Sequence, residues 1–413
     1  MIYSDIMDKL VDRFLKYITF DTHSDRDSHS IPSTKGQLTF AKELMKELEQ
    51  LNISAIKDKS GIVYAHIDSN CVDEDIPTIG FIAHMDTPPH LKACDIQPRI
   101  IKNYDGKNII INKDLGLMME SDKYLFLKDL IGHDVIVSDG TTILGADDKA
   151  GIAELMTMLD ILVHDPSIKH GNIYVAFTVD EELGKGMEYF DLDLFPCDFA
   201  YTVDIDANDI HCLDYETICG GQVDVSVRGK PVHPGSGKGV LINASLLAME
   251  FHNMLPKELD PYISNGYDGF NHLFDMTGQV DYANLKYRIG NFNDDDLWKQ
   301  MQYFEKIAQQ LNQKYNYQAF TVSMKQTAYN MKKYIEKDKR CLDYAIKAMK
   351  SLGLEVQHKS IRGGTDGSLL SQRGIPAPNL NNGSYNALSY FELVSIDYMK
   401  TCVKLFLKII SIK

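Results

Sequence analysis

Positive charge is in short supply in this chain. Its 43 lysines and arginines face 58 aspartates and glutamates over 413 residues, a formal net charge of -15. That deficit argues against nucleic acid and against an anionic membrane surface as partners. Long apolar runs are missing too. Nothing approaches the ~18 apolar residues that a membrane span needs, and the most apolar tail, Val403 to Ile412, is broken by Lys404 and Lys408. Met1 to Lys16 lacks the charged-then-apolar pattern of a secretory leader. The seven cysteines are scattered, odd in number and never spaced C-x-x-C. A disulfide framework or a cysteine zinc site is therefore not expected, and a reducing cytoplasm is the expected compartment. No internal repeat and no low-complexity segment stands out.

What is present reads as an ordinary globular enzyme, with 44% hydrophobic and 24% charged residues. The length exceeds one ordinary core, so two domains are expected. Part of the acidity is the kind that a carboxylate-rich site carries when bound cations neutralise it.

Several short, continuous apolar runs read as buried strands. Pro77 to Ala83 runs into His84-Met85-Asp86. Val135 to Val137 leads through a turn into Thr142 to Gly151, T-I-L-G-A-D-D-K-A-G, and a helix. Asn172 to Thr178 ends in Asp180-Glu181-Glu182, and Phe199 to Val203 ends in Asp204. Helical spacing marks residues 6 to 20, Gly36 to Leu51, Ile335 to Leu352 and Phe391 to Ile412. Buried strands alternating with helices predict an α/β fold, a mainly parallel sheet covered by helices on both faces. After Asp204 the pattern turns to alternating strands, over Gln222 to Arg228, Gly278 to Ile289 and Ala319 to Met324, with helices between them. A smaller α+β domain at residues 208–325 is thus expected as an insertion into a catalytic domain of residues 1–207 and 326–413. Leu354 to Ile361 reads as a further strand.

In parallel sheets, functional groups gather beyond the carboxyl ends of the strands. His84, Asp147, Glu182 and Asp204 all follow such an end. Histidine plus carboxylates without cysteine is a ligand set for zinc, manganese or cobalt in a hydrolytic site. Asp147 could bridge two ions, and Glu181 is the natural candidate for the base that takes a proton from water. Asp86, two residues after His84, could accept that histidine's second ring N–H. Each residue also has a plainer explanation. Asp147 and Asp148 could cap the following helix, Asp-Glu-Glu could be a solvated turn, and Asp204 could open a turn. Their joint occurrence, each after a separate buried strand, favours one shared site.

At these residues the chain resembles the peptidase T family of tripeptide aminopeptidases, within the wider group of two-zinc exopeptidases and deacylases that includes glutamate carboxypeptidases and aminoacylases. The matching stretches are G-F-I-A-H-M-D-T (80 to 87), S-D-G-T-T-I-L-G-A-D-D-K-A-G (138 to 151), A-F-T-V-D-E-E-L-G (176 to 184), D-F-A-Y-T-V-D (198 to 204), V-H-P-G (232 to 235) and I-R-G-G-T-D-G (361 to 367). The resemblance implies that His84 and Asp204 hold one zinc, that Asp147 bridges, that Glu182 holds a second zinc and that Glu181 is the general base. It implies that Asp86 orients His84, and that the Asp147–Asp148 peptide is cis. It also implies that His233 on the inserted domain helps stabilise the oxyanion, that Arg362 contacts the substrate, and that the inserted domain serves as lid and homodimer contact. The expected substrate is a short peptide.

The chain departs from that pattern at ligand and substrate positions. Where the resemblance implies a further histidine ligand of the second zinc, this chain has Leu388, and its last histidine is His358. An expected asparagine is Cys219, an expected arginine is Gly290 with Arg288 two residues away, and an expected glycine is Ile205. The leading expectation is therefore a metal-dependent aminopeptidase with one firm and one weakened ion. Its rivals are a non-catalytic binder of peptide or metal and a related deacylase or dipeptidase.

Overall fold

The computed structural model describes residues 2–71, 76–204 and 209–411. The chain divides into two compact units. The first comprises Met1–Tyr215, Lys333–Lys359 and Thr365–Lys413, and the second comprises Glu216–Lys332 and Ser360–Gly364. Ile205 and residues 207 and 208, where the sequence places a domain boundary, lie outside the described residues.

The first unit is α/β. Its seven-stranded sheet has the order Ser54–Lys57, Val63–Ile67, Ile173–Thr178, Ile79–His84, Phe199–Thr202, Asn379–Leu380, Leu213–Asp214. Parallel pairing is confined to the centre, where Ile79–His84 runs parallel to both neighbours and Phe199–Thr202 parallel to Asn379. The outer pairings are antiparallel. The cause is local: Ser54–Lys57 and Val63–Ile67 are joined by a short turn, and a parallel pair needs a long crossover. All six residues of Ile79–His84 are buried, so both faces of this strand are covered.

The helix Ala146–His164 packs against that strand and against the helices Ile2–Tyr17 and Ile396–Ile410. It is buried almost along its whole length, as expected of a helix that is apolar all round. Arg13 ties the helices together, donating to Glu47 Oε1 and Asp160 Oδ2 at 2.5 Å each and to Thr157 Oγ1 at 3.1 Å. A four-stranded antiparallel sheet links Ser384–Tyr385, Leu393–Ser395, Val135–Val137 and Arg99–Ile101. Because Leu393–Ser395 pairs there, the last helix starts at Ile396 and not at Phe391.

The second unit is α+β, with an antiparallel sheet in the order Phe270–Gly278, Tyr282–Asn291, Cys219–Arg228, Phe320–Ala328. Burial alternates along Cys219–Arg228. Val223, Val225 and Val227 enter one core with Phe251 of the helix Ala244–Asn253 and Phe304 of the helix Asp294–Tyr315. The strand expected over Gly278 to Ile289 is Tyr282–Asn291, and it pairs in a hairpin with Phe270–Gly278, a mostly solvated edge strand not expected from the sequence. Residues 354–361 form only the isolated bridges Cys212↔Gln357 and Thr217↔Ile361, too few partners for a strand.

Candidate metal centre

His84 closes the central strand and is 2% exposed. Its backbone N–H donates to Asp148 Oδ2 at 3.1 Å, and its Nε2 lies 2.8 Å from Asp147 Oδ1. The nearest partner of Nδ1 is the main-chain oxygen of Asp86 at 3.0 Å, with the Asp86 carboxylate at 3.5 Å. Burial opposes charging of this imidazole, but the Asp147 and Asp86 carboxylates outweigh it and hold its pKa well above the ordinary histidine value.

Asp147 is placed by its backbone. Gly145 sits at φ +71°, a left-handed turn that favours glycine, and the Asp147–Asp148 peptide is cis. Regular helix geometry resumes only after Asp148. Glu392 fixes this turn: its Oε2 accepts the N–H groups of Leu144 and Gly145 at 2.8 Å, and its Oε1 accepts that of Asp147 at 3.0 Å. Asp148 turns inward, accepting from His84 and from Asn382 Nδ2 at 2.9 Å. Burial pushes its carboxyl far above the usual range.

Donor atoms of His84, Asp147 and Asp204 lie within 4.8 Å of one another, and among the described residues this is the one such group of three. Glu181 and Glu182 stand on a short 3-10 turn, Glu181–Leu183, after the strand Ile173–Thr178. The Asp86 carboxylate, fully buried, holds that turn: it accepts the Glu181 N–H at 3.0 Å and the Glu182 N–H at 3.2 Å. Burial, and then repulsion from Asp147, pushes Glu182 up to about 9. Burial drives Glu181 well above the carboxylate range, with Asp204 and Asp366 adding to the effect. Glu182 Oε1 is buried without a hydrogen-bond partner.

Carboxylates crowded until burial and mutual repulsion raise their pKa values are what a bound cation reverses. The donor set of His84, Asp147 and Asp204 therefore fits one divalent ion. Asp147 and Glu182 belong to no second group of three among the described residues. Leu388, where a further ligand is expected, is a left-handed residue at φ +55° and is 41% exposed.

His233 and Arg362 belong to the second unit. His233 caps a turn, accepting the Gly235 N–H at 3.2 Å. Arg362 donates to the carbonyls of Gly266 and Asp268 at 2.7 and 2.8 Å and lies over the Phe270 ring. Gly290 has no room for the expected arginine, because a Cβ there would sit 2.4 Å from the Phe270 ring. Arg288 is exposed and stacks on Phe274. Cys219 is buried in that unit's core.

Four carboxylates of this region have no site role in the sequence analysis: Asp148, read there only as a possible helix cap, Asp180, Asp366 and Glu392. Asp366 is buried, accepts the Thr178 hydroxyl at 2.7 Å and is raised by burial to about 6. Glu392 carries a legible signal, a lone carboxylate ahead of the apolar Leu393-Val394. Asp180 follows from no pattern, since its partners come from residues 33 and 37.

Comparison with known proteins places these features in a family. The signature of Peptidase family M20/M25/M40 matches residues 140–412. "Peptidase T" of Caldanaerobacter subterraneus subsp. tengcongensis is 42% identical over 407 residues, covering 98% of this chain and 99% of the relative. A tripeptidase of Staphylococcus aureus superposes with a TM-score of 0.78 at 21% identity, covering 98% of both chains. YXEP of Bacillus subtilis, a dinuclear metal binding peptidase from M20 family, superposes at 0.65 with 13% identity, covering 99% of this chain and 98% of that one.

Proposed function

This chain belongs to peptidase family M20/M25/M40, and from that premise we propose that it is a metal-dependent aminopeptidase releasing the N-terminal residue of tripeptides. The observation that carries the reading is the convergence of His84, Asp147 and Asp204 beside the Glu181–Glu182 turn. The relatives and the family favour the enzyme over a non-catalytic binder.

We assign His84, Asp147 and Asp204 to one divalent ion, zinc in the first instance, with manganese or cobalt as alternatives. Bound there, the ion supplies Lewis acidity and lowers the pKa of water. Glu181 takes a proton from the attacking water as its oxygen bonds to the peptide carbonyl carbon. It gives that proton to the departing amine nitrogen as the C–N bond breaks. Asp86 keeps the Glu181–Glu182 backbone in place and takes part in holding the His84 ring. Glu182, with one orphaned oxygen, would hold a second ion together with Asp147, and with Leu388 offering no donor that ion would be held weakly. His233 and Arg362 are assigned to the oxyanion and to the substrate backbone or carboxylate. We assign the second unit, Glu216–Lys332 and Ser360–Gly364, to the lid and homodimer contact expected of the inserted domain. Among the described residues no helix is long and apolar enough to cross a membrane, and the cytoplasm is the proposed compartment.

The test is hydrolysis of free-amine tripeptides by metal-supplemented protein beside Glu181→Ala and beside N-acylated peptides. Turnover of the free amines that Glu181→Ala abolishes supports the reading. Equal behaviour of the two proteins, or preference for the acylated peptides, sinks it.

A further inference from the structure

We propose that Gln37 is a positioning residue for the Glu181–Glu182 pair, acting through Asp180 from behind the site. The proposal rests on the reading of Glu181 as the base. Asp180 precedes the pair and is 3% exposed, at φ +55° and ψ +31°, a left-handed conformation costly for a residue with a Cβ. At a buried position such a backbone is held by its surroundings. Gln37, fully buried in the first turn of the helix Lys35–Gln50, supplies that hold. Its amide grips Asp180 at two points: Nε2 donates to the carboxylate at 2.7 Å and Oε1 accepts the backbone N–H at 3.1 Å. Ser33 completes the grip, donating its N–H to Asp180 Oδ2 at 2.7 Å and its hydroxyl to Oδ1. Ser33 is itself pinned, its hydroxyl accepting the Asp25 N–H at 2.9 Å.

Three consecutive backbone N–H groups are thereby held by side chains alone. That of Asp180 goes to Gln37, and those of Glu181 and Glu182 go to Asp86. The strand's own ladder ends at Thr178, so side chains from residues 33, 37 and 86 fix the direction in which the two glutamates leave the sheet. The amide at position 37 offers a donor and an acceptor on separate atoms, and each meets a different group of Asp180. Glutamate there would oppose the Asp180 carboxylate, and leucine would release both of its groups. A shift of about 1 Å at a reacting group is worth on the order of 100-fold in rate.

The experiment compares wild type, Gln37→Leu and the exchanged pair Gln37→Glu/Asp180→Asn. It reads kcat and KM on a tripeptide with added zinc, and amide hydrogen exchange of the peptides covering 173–178 and 179–186. The expected result for Gln37→Leu is a fall in kcat of about 10- to 100-fold with KM within about threefold. Exchange should be about tenfold faster in 179–186 alone, by local opening, and the exchanged pair should recover most of both. A kcat within twofold of wild type, or exchange accelerated equally in both peptides, overturns the proposal. If wild type cleaves no tripeptide, the functional reading fails by itself. The exchange data then still decide whether Gln37 holds the turn, and unchanged exchange in 179–186 overturns that too.

Discussion

Glu392 Oε1 accepts the backbone N–H of Asp147 at 3.0 Å, across 245 residues of chain. The same carboxylate takes the N–H groups of Leu144 and Gly145, so the turn presenting Asp147 is built around one buried carboxylate, which burial pushes up to about 7 against the pull of those N–H bonds. Three backbone N–H groups thus depend on one side chain, and removing it leaves them without that partner. Partners that orient ligands are worth roughly 10–100-fold in metal affinity. Glu392→Ala is therefore expected to weaken zinc binding by about that factor, as read by competition with a chelating dye. Affinity equal to wild type would show that the Asp147 turn holds its shape without Glu392.

Leu388 offers no donor where a second ion needs one. Leu388→His is expected to raise tightly bound zinc from one ion per chain to two, measured by elemental analysis after removal of loose ions. Two ions already present in the wild type would mean that another group completes the second position.

Arg13 is 9% exposed and serves Glu47, Asp160 and Thr157 at once. Removing it takes the one guanidinium from two carboxylates, leaving Glu47 with Tyr17 and Lys16 and Asp160 with His164. Arg13→Ala should cost about 3–5 kcal/mol of stability, the usual penalty for breaking a buried pair from one side, as measured by urea unfolding. A loss under about 1 kcal/mol would mean that the cluster behaves like a surface pair.

Much of this was legible in the sequence, and the misses have physical causes. Runs such as Pro77 to Ala83 are buried on both faces, so their apolar character shows without context, and the residues that follow them include His84, Asp147 and Asp204, whose donor atoms lie within 4.8 Å of one another. Phe270–Gly278 was not legible, because an edge strand with one solvated face and little buried on the other has no strong period. Leu393–Ser395 is too short to show one. The partners of the buried carboxylates Asp180 and Glu392 come from 143 and 245 residues away, so even the local signal at Glu392 does not say what it holds. Asp86 illustrates the same limit: its position near His84 was readable, but its two bonds to the Glu181 and Glu182 amides were not.

Asp214 gives a pH dependence. It is 1% exposed and accepts the Lys359 N–H at 3.0 Å. Burial raises it to about 6, against the pull of His358 and Lys359 and with a push from Asp209. A carboxyl whose folded pKa lies above its unfolded value stabilises the fold below the unfolded pKa, about 4. That contribution is lost as pH rises through 6. Asp214→Asn should therefore be more stable than wild type at pH 7 by roughly 1–3 kcal/mol, with the advantage gone near pH 4. An advantage independent of pH in thermal unfolding would place its cause elsewhere.

The most direct test of the central claim is the initial rate of N-terminal residue release from a tripeptide, followed on one protein sample through chelation and zinc restoration, with Glu181→Ala carried in parallel. A metal-dependent aminopeptidase loses its rate on chelation and regains it with zinc, while Glu181→Ala stays inactive at every stage. A rate untouched by chelation, or equal rates for wild type and Glu181→Ala, would contradict the account.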